Sequence, residues 1–191
     1  MKTLDSLLLQ FFQSLSDWFQ NWFGANNFFL AKGFLILSWI SFLAQMNIEM
    51  TKIGNFGHLV LGCVIQTFIT VMLLPLVNWS ERSCQINPNF KNRCEKILYI
   101  LRIFQVLAVI ILTIDFTFNY VWGVNINIPV SSPISFEKLS RSNEIISRIT
   151  GISFDIFFGL FLYFGSCTPK PPKQGRLSEL LEKLVPQPLT S

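Results

Sequence analysis

The chain has 191 residues, 51% of them hydrophobic and 14% charged, with a mean hydropathy of +0.46. Soluble domains carry roughly a quarter charged residues, so this balance excludes an ordinary water-soluble globule, and 20 Phe with long Leu/Ile/Val runs exclude disorder over most of the length. Four Cys and nine Pro are too few for a disulfide-dense module or a collagen-like chain, and the net charge of +4 forms no clustered basic face, so nucleic acid is not an expected partner.

In residues 1–24, Leu4, Leu7, Leu8, Phe11, Leu15, Trp18, Phe19, Trp22 and Phe23 recur at spacings of three and four, with Asp5, Ser6, Gln10, Gln13, Ser14, Asp17 and Gln20 between them. This spacing predicts an amphipathic helix lying in the plane of a membrane interface, with Leu4, Phe11, Leu15, Trp18, Phe19 and Trp22 as its membrane-surface residues. The alternative is that this apolar face docks on a partner protein or on the chain's own bundle. A cleavable signal peptide is not expected, because the apolar residues are periodic and no basic n-region precedes them. Gly24-Ala25-Asn26-Asn27 then breaks the pattern.

A transmembrane helix needs about 20 mostly apolar residues. Residues 25–167 offer four such spans, at about 28–46, 58–77, 97–122 and 145–166, joined by the loop Asn78–Lys96 and an Asn/Ile/Pro/Ser-rich loop at 124–150. Arg102 is expected to snorkel to the headgroups, and Glu144 and Arg148 form a favourable i,i+4 pair at the foot of the fourth span. Residues 168–191 read as a stiff Pro/basic linker and a short amphipathic tail with Leu177, Leu180, Leu181 and Leu184 on one face. The tail is too short to be helical without lipid or protein to lie on. Eleven of the 15 Lys and Arg fall on the side holding both termini and the 78–96 loop. The positive-inside rule therefore predicts cytoplasmic termini and reduced Cys84 and Cys94. With neither a cleavable signal nor an acid-poor transit peptide, a bacterial cytoplasmic membrane is the expected compartment.

Arg102, Gln105, Ala108, Leu112, Asp115 and Asn119 share one face of the third span. Gly151, Asp155 and Gly159 share one face of the fourth, and His58, Gly62, Gln66 and Thr70 form a stripe on the second. The first carries Ala31, Ser38, Ser41 and Gln45. These faces predict a closed four-helix bundle with a moderately polar interior. Measured from the span ends, Asp115 and Asp155 reach a similar depth with no fixed cation nearby, and His58 lies above them. Asp115, Asp155, Asn119 and His58 are therefore the candidates for an ion or proton site; hydrogen bonding of each acid to a neighbour such as Asn119 or Gln66 is the structural alternative.

With one His and no HExxH, GxSxG, phosphate loop or CxxC pair, the chain offers no familiar catalytic or metal-ligand motif, so neither enzyme activity nor a cofactor is expected. The expectation is an all-α integral membrane protein that serves as a non-enzymatic accessory or scaffold subunit of a larger membrane complex, with the lipid bilayer and other membrane subunits as partners. The alternative is a small homo-oligomeric proton- or cation-coupled transporter or channel using Asp115 and Asp155. The sequence shows no inverted repeat of the kind common in secondary transporters.

Overall fold

The computed structural model describes residues 2–50, 56–86, 90–122, 141–168 and 175–177. All regular structure among them is helical: α1 (Lys2–Phe23), α2 (Asn27–Met50), α3 (Phe56–Ile86), α4 (Phe90–Phe116) continued by a π-helical turn (Thr117–Val121), and α5 (Arg141–Ser166). Four of these helices contain stretches long and apolar enough to cross a membrane, at Asn27–Ile48, Val60–Cys84, Cys94–Tyr120 and Glu144–Ser166, which suggests a membrane protein.

Local chemistry sets the first break. Gly24 adopts φ 73°, the left-handed conformation that closes helices and that glycine adopts without a Cβ penalty. Its N–H reaches the Gln20 carbonyl at 2.8 Å. Asn26 caps the next helix, its Oδ1 accepting from the Phe29 N–H at 3.0 Å. Asn27 then holds the end of α5: its Nδ2 donates to the carbonyls of Phe164 at 3.0 Å and Cys167 at 2.9 Å, groups that a helix C-terminus leaves without intrahelical partners.

That contact fixes α2 and α5 as an antiparallel pair, the most extensively packed among the described helices. Ala31 and Ser38 are fully buried, so the backbones approach closely, and the Phe34 ring stacks on Phe164 at 5.4 Å. Phe28, Leu35, Phe161 and Leu162 complete this core with Val77 of α3. α3 lies on the other flank of α2, tied by Trp39 Nε1 donating to Thr67 Oγ1 at 3.1 Å and by the Lys32–Glu81 ion pair at 2.9 Å. α4 lies on the other flank of α5.

The order is thus α3–α2–α5–α4, an arc with α3 and α4 barely meeting. The closed bundle expected from the polar stripes is not formed. The stripe of α4 is used on α5, and α3 bonds α2 through Thr67. What α3 and α4 have left are flanks of Leu, Ile, Val and Phe, which gain little from each other when lipid tails are equally apolar.

α1 is seated against the last turns of α5. The Phe12 ring lies 5.0 Å from Tyr163 and 5.3 Å from Phe164. Gln13 Oε1 accepts from the Thr168 N–H at 2.7 Å while its Nε2 donates to the Thr168 carbonyl at 3.3 Å. After α5 the chain returns to the α1–α2 turn at Gly175, where a Cβ would stand 2.5 Å from the Gly24 nitrogen, so only glycine fits. The tail helix expected over 176–185 lies outside the described residues beyond Leu177, as do the 123–140 part of the long loop and the side chain of His58.

Candidate functional site

The polar stripe of α4 meets α5 at three levels, and each level carries a different kind of contact. At the end that carries α1, Arg102 is 0% exposed. Its Nε and Nη2 form a two-pronged contact with the Asp5 carboxylate, both at 2.9 Å, the geometry that best matches a guanidinium to a carboxylate. Nη1 donates to Ser166 Oγ at 2.7 Å, and Nη2 also reaches Glu95 Oε1 at 2.8 Å. The Tyr163 hydroxyl donates to Asp5 Oδ1 at 3.1 Å, and its ring lies 5.6 Å from the guanidinium carbon. Arg102 therefore does not extend towards headgroups as expected. A carboxylate four residues from the start of the chain satisfies it inside the protein, and desolvated charges persist only when so paired.

Three residues further along α4, Gln105 Nε2 donates to both the backbone carbonyl and Oδ1 of Asp155, at 2.8 Å each. The close approach depends on Gly159, where a Cβ would stand 3.3 Å from Gln105 Cγ. Gly151, on the same face of α5, meets the Gln45 side chain of α2 at 3.3 Å by the same measure. The small-residue face of α5 thus serves two neighbours.

At the far end, Asp115 is 6% exposed. Its Oδ2 lies 3.5 Å from Arg148 Nη1 of α5, and its Oδ1 accepts from Asn119 Nδ2 at 2.8 Å. Glu144 accepts a hydrogen bond from the Tyr120 hydroxyl. Asn119 and Tyr120 both sit on the π-helical turn, a widened turn often found where a helix redirects side chains. Arg148 thus forms a cross-helix pair with Asp115 that spacing within α5 does not reveal.

These contacts revise the expected ion site. Asp115 does have a fixed cation, Arg148. The two acids are also not at one depth: Asp155 is level with Gln105, ten residues from Asp115, or about 15 Å along α4. The mismatch arises because α5 is displaced along α4 so that Arg148 meets Asp115, and depths counted from each span's own end could not register that slide. Asp115 and Asn119 are brought together; Asp155 stands apart with Gln105.

On α1, Leu4, Phe11, Leu15, Trp18 and Trp22 are exposed, with Phe19 half-buried, whereas Asp5, Ser16 and Gln20 are buried. The polar side of this helix is thus the one turned to the bundle, with Phe12 among it. The Arg102–Asp5 pair is the main feature that sequence reasoning missed. Its available signal was Asp5 itself, an acid opposite the apolar stripe that a buried cation could claim. Cys84 and Cys94 are unbridged.

No protein-family model matches the chain, and comparison with curated proteins and with solved structures found no match. The fold and its polar stripe define a class, a helical protein with four helices long and apolar enough to span a membrane.

Proposed function

We propose that this chain is a non-enzymatic, multi-pass subunit of a larger membrane complex, with α1 lying at the membrane surface as a platform for lipid and for neighbouring subunits. The observation that carries the reading is the orientation of α1. Its stripe of Leu4, Phe11, Leu15, Trp18 and Trp22 faces away from its own bundle, and a buried Arg102–Asp5 pair holds it that way round. An apolar stripe turned outwards is stable only against an apolar medium or a partner. The exposed apolar flanks of α3 and α4 extend that surface. The charge distribution in the sequence supports cytoplasmic termini, and the amino-terminal pattern, which is neither a cleavable signal nor an acid-poor transit peptide, supports a bacterial inner membrane.

The transport alternative needs Asp115 and Asp155 to act as a pair. Their separation of about 15 Å along α4 and the pairing of Asp115 with Arg148 weigh against it. The deciding experiment is purification of the tagged full-length chain in nanodiscs formed directly from its native membrane, with mass determination and mass spectrometry of what accompanies it. A defined set of other proteins at fixed ratio is the expected result. A pure monomer or homo-oligomer would overturn the subunit reading.

A further inference from the structure

The arc of helices leaves a groove of about 270 Å³ between α3 and α4, floored by α2 and α5. Val77 and Trp79 of α3, Ile97 and Leu98 of α4, and Phe161 and Gly165 of α5 line it, and its exposed surface is almost wholly apolar. It opens at the same end of the bundle as the Arg102 cluster. Near its mouth Glu81 is paired with Lys32 at 2.9 Å, and Glu95 shares Arg102, at 2.8 Å, with Asp5. Two further cations are exposed among the described residues, Arg82 one helical turn beyond Trp79 and beside Glu81, and Lys96 beside Ile97. Together with Lys32 and Arg102 against Asp5, Glu81 and Glu95 they leave a net positive charge at the mouth.

We propose that this groove binds one anionic phospholipid, with an acyl chain between α3 and α4 and the headgroup phosphate against Arg82 and Lys96. The proposal rests on the membrane reading above and adds a ligand class and a site to it. An apolar slot alone would accept any lipid chain. The net positive charge at its mouth selects the headgroup, because one excess cation near a membrane surface favours an anionic lipid by about a factor of five. Trp79, at the mouth, is placed to report an occupant.

The test uses the full chain with its other four tryptophans (Trp18, Trp22, Trp39 and Trp122) replaced by Phe. It is reconstituted in phosphatidylcholine nanodiscs holding a minor fraction of lipid with brominated acyl chains, which quench indole fluorescence on contact. Brominated phosphatidylglycerol is expected to quench Trp79 at roughly a fifth of the concentration needed with brominated phosphatidylcholine. Arg82→Gln with Lys96→Gln should bring the two lipids to within about twofold of each other. Gly165→Leu, at a position where an added Cβ meets nothing within 4 Å, should fill the groove and reduce quenching by both lipids. Equal quenching by the two lipids in the parent chain overturns the proposal and leaves the membrane reading standing. Failure of the chain to co-fractionate with the nanodiscs overturns both.

Discussion

The two ends of the α4–α5 interface are built from nearly the same parts and bonded to different depths. One end has Arg102, Asp5, Glu95, Tyr163 and Ser166; the other has Arg148, Asp115, Glu144, Tyr120 and Asn119. Each sets one guanidinium against two carboxylates and a tyrosine. The Arg102 side chain is sealed from solvent and meets Asp5 through two hydrogen bonds at 2.9 Å. The Arg148 side chain is 23% exposed and meets Asp115 at 3.5 Å. The first cluster joins α1, a segment far away in sequence, to the body of the protein; the second joins two helices that are already packed together. Burial is therefore spent where a separate element has to be held in one orientation.

The comparison breaks most sharply at Arg102. Arg102→Met removes a cation from a closed site and leaves Asp5 buried beside Tyr163, which should cost about 3–5 kcal/mol. It should also let α1 lift. A thermal melt in mild detergent reads the first effect. Labelling of Ser16→Cys in a cysteine-free background reads the second, since Ser16 is 3% exposed and should react only when α1 leaves its seat. Unchanged labelling would show that Phe12 and Gln13 hold α1 without the ion pair.

Replacing both partners, Asp5→Leu with Arg102→Met, should recover most of that loss, because an apolar pair of similar volume leaves no stranded charge. The double-mutant cycle should therefore show a coupling of at least about 3 kcal/mol between the two sites. Simple additivity would mean that Glu95 and Ser166 satisfy Arg102 without Asp5.

Arg148→Gln should cost only about 1 kcal/mol, since the pair is partly solvated and Asn119 still serves Asp115. A loss as large as that of Arg102→Met would show that the two clusters are equivalent after all. The smallest effect belongs to Asp155→Asn. The amide oxygen can still accept from Gln105, and hydrogen bonds between membrane helices contribute about 0.6 kcal/mol on average. Abolition of a measured proton flux in liposomes by this substitution, with folding intact, would restore the transport alternative.

Much of the local architecture was legible from residue spacing. The apolar stripe on α1, the break at Gly24 and the shared face of Arg102, Gln105 and Asp115 all follow from a period of 3.6 residues and from glycine's access to positive φ; that the stripe faces away from the bundle does not. The contacts of that face were legible only in part. Asn119 lies four residues from Asp115 on the same helix, so their hydrogen bond could be proposed from spacing. Pairing Asp5 with Arg102, or Arg148 with Asp115, requires knowing how one helix slides along another, and no spacing within a helix contains that displacement. The absence of a closed bundle was hidden for a related reason: polar stripes indicate that a helix has a neighbour, not that the outermost two helices of a row meet.

What the sequence by itself determined is the number of long apolar helices, the break at Gly24, and which side of each helix is polar, because hydrogen bonds to the residue four back and the spacing of apolar side chains are local properties. It did not place the ends of α3 and α4, which run through most of the expected 78–96 loop, to Ile86 and from Phe90. The tertiary structure decided which charge meets which, and that α3 and α4 stay apart. One helical turn of sliding is about 5.4 Å, enough to break a 2.9 Å ion pair and form another, and the register of α4 on α5 is the one in which Gln105 meets Asp155 and Gly159.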